Sequence, residues 1–202
     1  MGADMILKIG VTQRVFINRY HERCDGLDQR WSNFIRRCGG ITVPIPNTVK
    51  HISEYISPFK LNGIILTGGN DLEKYGGDAP DRDELENRII EYALHQDFPV
   101  IGICRGMQII HDHFGGRLEH VEGHAGLNHM VTIDHRKREV NSYHQWGFRN
   151  VTQEFVPFAK SDDGNIEAMH HKTRKIHAIM WHPERLNPFN EEDIHLFNTL
   201  LK

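Results

Sequence analysis

The chain has 202 residues, enough to bury a full apolar core in one folding unit, and 24 basic against 27 acidic side chains leave a formal net charge of -3. That balance gives no bulk electrostatic reason to bind nucleic acid or a membrane surface, and no apolar stretch approaches the roughly 20 residues that span a bilayer. Cys24, Cys38 and Cys104 are an odd number without metal-like spacing, which argues against a disulfide framework and for a reducing, cytoplasmic setting with a small-molecule or protein partner.

In chain order, MGADMILKIGV is too short in its apolar part, and lacks a basic leader, to read as a secretory signal. Ile6 stands where a myristoylation site has Ser or Thr. MILKIGV reads as a strand. Leu27 to Cys38 puts Leu27, Trp31, Phe34, Ile35 and Cys38 at helical spacing, stopped by Gly39-Gly40. ITVPIP is a second strand whose prolines place it near an edge or a turn. A short helix near Ile52–Ile56 leads to GIILTGGND, a doubly buried strand with a glycine-rich exit loop. Asp81 to His95 is a charged helix with Leu85, Ile89, Tyr92 and Ala93 on its inner stripe, VIGI is a strand, and a helix follows Cys104 toward Gly115-Gly116. From Arg117 onward come short β-type runs, HMVTI, EVNSY, FVPFAKS, IEAMHH and IHAIMWH, before a final helix over Glu191–Leu201. This is an α/β pattern: a mostly parallel sheet flanked by helices, with additional β-structure in the C-terminal half, read as one domain over residues 1–202.

The chemistry centres on GICRG, Gly102 to Gly106. In a strand, nucleophile, helix turn of the G-x-S-x-G kind, the flanking glycines let the chain bend and leave the middle residue above the sheet; here that residue is Cys104. The following helix N-terminus and Arg105 favour thiolate over thiol. The competing reading is a small buried hydrophobe, the usual fate of a free cysteine. A thiol nucleophile needs an oriented base, and IMWHPER offers one: in an extended chain His182 and Glu184 project to the same side, so Glu184 reaches the far imidazole nitrogen. Alone, His-Pro-Glu would read as an exposed turn; the preceding apolar strand IHAIMW favours the oriented base. The loop LTGGND lies at the carboxyl end of a parallel strand, where open α/β sheets bind ligands, and the amides of Gly69 or Asn70 with that of Arg105 are the expected oxyanion donors.

GICRGMQ, VNSYHQ (Val140–Gln145), DGNIEAM (Asp163–Met169) and WHPE (Trp181–Glu184), in that order, resemble the class I glutamine amidotransferase family over nearly the whole chain. The resemblance implies a flavodoxin-like sheet, Cys104 as nucleophile, His182 as general base and acid, and Glu184 as its orienting partner. It also implies that Gln108, Asn141, Ser142, Tyr143 and His144 grip the glutamyl part of the substrate. Many synthase glutaminases of the family carry a Gly-Pro-Gly oxyanion loop, whereas this chain has Gly68-Gly69-Asn70. CRGMQ and VNSYHQ are similar to the stand-alone γ-glutamyl hydrolase branch. Residues 23–47 resemble a small subgroup associated with sugar and capsule biosynthesis, which implies a substrate such as γ-glutamyl-CDP-amidate, cleaved to glutamate and cytidine diphosphoramidate.

Arg14, Arg19, Arg23 and Arg30 are then candidates for the diphosphate, against the plain alternative that surface arginines are solvated. No cofactor and no obligate synthase partner are expected. Fifteen histidines include a run of His111, His113, His120, His124 and His129 and the pair His170-His171. Without a Cys-x-x-Cys or His-Glu-x-x-His spacing, no metal centre is expected. Two rival functions stand beside the hydrolase: a glutaminase subunit delivering ammonia to a separate synthase, and a catalytically silent binding protein.

Overall fold

The structure is a computed structural model describing residues 6–201. The reading of Met1–Met5, including the first residue of the predicted MILKIGV strand and the leader and lipidation question, lies outside the described residues, as does Lys202.

The elements run β1 (Leu7–Thr12), β2 (Arg14–Ile17), β3 (Arg23–Gly26), α1 (Arg30–Arg37), β4 (Gly40–Ile45), α2 (Ile52–Phe59), β5 (Gly63–Leu66), α3 (Pro80–Gln96), β6 (Val100–Ile103) and α4 (Arg105–His113). They continue with β7 (Glu119–His120), β8 (Ala125–Ile133), β9 (Arg136–Tyr143), β10 (Trp146–Gly147), β11 (Phe155–Ser161), β12 (Ile166–His171), β13 (Ile176–Ile179) and α5 (Glu191–Leu201). The main sheet has the order β4-β1-β5-β6-β13-β12-β11-β8-β9. Its first five strands are parallel; from β13 outward every pairing is antiparallel. This is the expected parallel sheet flanked by helices, continued by the β-rich second half. Pro44 lies in β4, an edge strand, where a missing amide costs no ladder bond on the open side.

Apolar residues alternate between two cores. Ile64, Leu66 and Val100 face α2, α3 and α4, whereas Ile65, Ile101 and Ile103 face α1 and α5. Because both faces are covered, β5 and β6 read as unbroken apolar runs. In the second core Phe34 packs edge-on against Trp31, Phe189 and Phe197, tying α1 to α5.

Two features differ from the sequence reading. The helix predicted from Leu27 begins only at Arg30, because the Asp28 carboxylate accepts the Arg30 amide at 3.0 Å and turns the chain first. The hairpin β2–β3 was not expected at all: its strands are four residues long, Val15 is buried while Phe16, Ile17 and Tyr20 are exposed, and a single buried residue leaves no periodic trace.

The parallel register aligns Leu66 with Gly102 and Ile103 with Ile179. The carboxyl ends of β5, β6 and β13 therefore stand level and side by side, and the three chemistry-bearing loops leave the sheet together.

Candidate active site

Cys104 is the single residue between β6 and α4, at φ 52°, ψ -106°. This is a left-handed conformation that a non-glycine residue holds at a cost on the order of 1–3 kcal/mol. Its amide donates to the Ile179 carbonyl at 2.8 Å, and its carbonyl accepts from Met107 and Gln108, locking the bend from both sides. The glycines around it serve close approach rather than unusual torsions. A Cβ on Gly102 would sit 2.5 Å from the Gly106 carbonyl oxygen, and one on Gly106 would sit 2.1 Å from that of Leu66.

His182 follows β13 in an extended conformation, and its Nδ1 lies 2.7 Å from Glu184 Oε1. The sequence argument had both residues on one side of an extended chain. Instead, Pro183–Arg185 form a 3-10 turn, and it is this turn that folds the carboxylate back under the ring. Both side chains are buried. Burial opposes a charged imidazole, but the neighbouring Cys104, through charge and a side-chain hydrogen bond, and then Glu184 outweigh it and lift His182 to about 9. Gly68, which the sequence reading left without a role, closes the group. A Cβ there would stand 2.6 Å from His182 Cε1 and 3.4 Å from the Cys104 Cβ, so any side chain would push the base off the thiol.

Behind the Thr67–Asn70 loop lies a buried ionic network that the sequence did not reveal. The Arg82 guanidinium, fully buried on α3, donates to the carbonyl of Thr67 at 2.6 Å, to that of Gly68 at 3.3 Å, and to that of Gly69. In a trans peptide the N–H points opposite to the preceding C=O, so the Gly69 and Asn70 amides are turned away from Arg82. Glu86 accepts from Arg82 at 3.0 Å and from Thr12 at 2.7 Å, and pairs also with Arg105. Burial lowers Arg82 to about 10, with Arg105 adding to the shift. For Glu86, burial raises the carboxyl but Arg105 and Arg82 more than offset it, leaving it below its ordinary value. An i,i+4 Arg-Glu pair on a charged helix normally reads as a solvated surface pair, which is why these residues escaped notice. Arg105 itself requires a correction: its guanidinium points back to Glu86 and Asp83, so its charge is spent there and not beside Cys104.

The cleft at Cys104 holds about 330 Å³ and is lined by Gly69, Asn70, Arg105, Gln108, Tyr143 and His144, among others. The residues implied to grip a glutamyl group divide. Gln108, Tyr143 and His144 line the cleft. Asn141 does not: its amide group clamps the backbone of His182, donating to its carbonyl at 2.9 Å and accepting from its N–H at 2.8 Å. Ser142 is buried and donates to the His124 carbonyl. Both therefore act behind the wall. Of the four arginines, Arg14 lies against Gly69, its Cβ 3.5 Å from where a glycine Cβ would be, and shares a small recess with His182 and Glu184. Arg30 pairs with Asp28 at 2.6 Å and lines a groove of about 650 Å³ with Arg36, Arg37 and Arg185. Arg185 stacks over the Tyr143 ring at 4.2 Å, which joins that groove to the cleft. Arg19 bonds to its neighbour Tyr20, and Arg23 pairs with Asp81; among the described residues neither lines the cleft. Among the described residues, His124, His144 and Glu167 are the group that could hold a metal ion.

A model of the glutamine amidotransferase class-I family matches residues 33–202. The chain belongs to that family. A γ-glutamyl-CDP-amidate hydrolase of Campylobacter jejuni is 34% identical over 92% of this chain and 94% of its own length. The glutamine-hydrolysing subunit of the Methanocaldococcus jannaschii GMP synthase is 32% identical over 69% of this chain and 73% of its own. Among solved structures, a Thermoplasma acidophilum protein provisionally named as a GMP synthase subunit superposes with a TM-score of 0.75 at 23% identity, covering 98% of this chain and 94% of that one. A glutamine amidotransferase of Thermotoga maritima gives 0.68 at 14% identity, over 97% and 84%. These two likenesses concern the fold. Among the described residues no helix is long and apolar enough to cross a membrane.

Proposed function

We propose that this family member is a hydrolase of γ-glutamyl amides that works through a thioester on Cys104, with γ-glutamyl-CDP-amidate as its substrate in capsule biosynthesis. The observation that carries the reading is the Cys104, His182, Glu184 alignment on a strained strand-to-helix turn. The substrate follows from the likeness to the Campylobacter hydrolase over nearly the full length of both chains. The Cys104 thiolate attacks the γ-carbonyl carbon, and the oxyanion is met by the amides of Gly69 or Asn70 and of Arg105. The C–N bond then breaks as His182 gives its proton to the leaving nitrogen, releasing the cytidine diphosphoramidate. Water attacks the thioester, its proton passes to His182, and glutamate leaves with the thiolate restored. Gln108, Tyr143 and His144 hold the glutamyl end, while Asn141 and Ser142 position the wall. The diphosphate runs past Tyr143 toward Arg185 and Arg30, with Arg14 beside it.

The test is steady turnover by the purified chain alone on the nucleotide conjugate, on γ-glutamyl-γ-aminobutyrate and on glutamine. Preference for the nucleotide conjugate is expected; equal efficiency on all three would reject the substrate but leave the γ-glutamyl hydrolase. The archaeal GMP synthase relative favours one second reading, a glutaminase that feeds a separate synthase. Turnover that appears only on adding such a partner would establish it.

A further inference from the structure

Behind the cleft wall, three side chains from separate segments converge. His124 lies in the loop before β8, His144 just after β9, and Glu167 on β12; all three are buried. His124 Nδ1 is 3.3 Å from His144 Nε2 and 3.3 Å from Glu167 Oε1, and His144 Nε2 is 3.6 Å from the same oxygen. A tetrahedral zinc ion bound at about 2.0–2.1 Å holds its ligands about 3.3–3.4 Å apart, so the triangle has the edges that such an ion imposes.

The surroundings match as well. Ligating imidazoles engage their far nitrogen with a carbonyl or carboxylate, which fixes the ring and its tautomer. Here His144 Nδ1 meets the Trp146 carbonyl at 3.0 Å, which leaves Nε2 with its lone pair inward. His124 Nε2 meets the Asp163 carboxylate at 3.2 Å, and Ser161 and Asn165 in turn donate to that carboxylate. A fourth ring, His129 on β8, stands 4.5 Å from the His124 ring, with Nε2 3.5 Å from Glu167 Oε2. The buried Glu167 carboxylate thus has all three imidazoles gathered around it.

We propose that His124, His144 and Glu167 bind one divalent transition-metal ion, zinc by geometry and ligand type, with His129 beside the site on Glu167. Three protein ligands leave the fourth position to water, and the ion pins the loop before β8 to β9 and β12 and holds the wall that His144 presents to the cleft. This inference stands independently of the substrate assigned above. No sequence spacing announces the site, because its ligands come from residues 124 to 167 and meet only through the antiparallel half of the sheet.

The test is zinc titration of the chelator-stripped full chain, followed by calorimetry, native mass spectrometry and melting temperature. One equivalent should bind with sub-micromolar affinity and raise the melting temperature by several degrees through linkage. His124→Asn and Glu167→Gln should each weaken binding by about 100-fold or more, and Asp163→Asn, which acts on the His124 ring, by about tenfold. Should the ligand variants fold poorly, cobalt in the wild-type chain gives the same answer by the intense visible bands of a tetrahedral nitrogen and oxygen site. Absence of stoichiometric binding, an octahedral cobalt spectrum, or wild-type zinc affinity in both folded ligand variants would overturn the proposal.

Discussion

The Cys104 turn and the β2–β3 hairpin both rise from the carboxyl end of the sheet, and they are built in opposite ways. Beneath the turn the charged groups are buried and paired: glycines let backbones touch, Arg82 gathers three carbonyls of the neighbouring loop, and Glu86, itself paired with Arg105, holds that arginine in place. The hairpin pairs chiefly with itself, exposes Phe16, Ile17 and Tyr20, and is tied down through Asn70, whose side chain exchanges two 2.9 Å bonds with the Val15 backbone. Cys104 thus sits on a frame that cannot shift without unpairing buried charge, whereas the adjacent arginines sit on exposed surfaces. If the proposed reaction holds, the chemistry would rest on the buried frame and the choice of leaving group on the exposed one.

That contrast breaks most sharply at the nucleophile. Cys104→Ala should lower kcat/KM on the γ-glutamyl substrate by at least about 10³-fold while leaving the melting temperature close to that of wild type, since little packing is lost. Mass spectrometry of wild type quenched during turnover should find glutamate joined to Cys104. Substantial residual turnover by the variant would remove the thioester from the mechanism.

His182→Ala should cost nearly as much, and Glu184→Gln less, because the amide keeps size and one hydrogen bond while losing the charge that supports the imidazolium. The pH profile separates positioning from packing. With His182 at about 9, raised above its ordinary 6.5, the imidazolium and the stability it contributes are fully present below 6.5 and are lost as pH rises through about 9. Activity should fall over the same alkaline range, and in Glu184→Gln that fall should begin at lower pH. An unchanged alkaline limb would mean that Glu184 merely fills space.

Next in size is the support beneath the oxyanion loop. Arg82→Met leaves buried loop carbonyls without their donor and strips Glu86 of one of its two buried arginines, and should cost about 3–5 kcal/mol of stability, measured by denaturant unfolding. If Arg82 also aims the Gly69 and Asn70 amides, kcat in the folded fraction should drop at least about tenfold, with a smaller change in KM. A stability loss with normal kcat would confine Arg82 to holding the fold.

Much of this frame was legible. The alternating run of apolar strands and amphipathic helices gave the parallel half, because burial on both faces writes itself into composition, as in Ile64–Leu66 and Val100–Ile103. GICRG and WHPE marked segments that the fold brings together at the cleft, because a sharp strand-to-helix turn and a His-Glu pair need particular residues at fixed spacing. What escaped depends on tertiary approach. Arg82 and Glu86 look like a surface pair until α3 packs over the loop, Gly68 looks like any loop glycine until His182 arrives, and Asn141 looks like a ligand contact until its amide is found on the His182 backbone. The hairpin left no periodic signal because a single residue of its strands, Val15, is buried.

The smallest expected effects belong to the exposed side of the comparison. If the nucleotide end of the substrate crosses from Tyr143 toward the arginine groove, Arg30→Ala and Arg185→Ala should each reduce kcat/KM on the nucleotide conjugate by roughly 5- to 30-fold, the range of a charged hydrogen bond in a partly open site. On glutamine, which has no phosphate, Arg30→Ala should change little, since Arg30 touches neither Cys104 nor His182. Arg14→Ala should fall between, because that side chain also shares the recess beside His182 and Glu184. Arg19→Ala should stay within about twofold on every substrate, since its guanidinium bonds to the exposed Tyr20. Part of any loss should appear in kcat as well as KM, because binding the remote diphosphate positions the scissile amide over the thiol. The pattern across substrates matters more than any single value: equal losses on glutamine and on the nucleotide conjugate would assign Arg30 and Arg185 to the wall of the site, and a selective loss in Arg19→Ala alone would place the nucleotide on the hairpin instead.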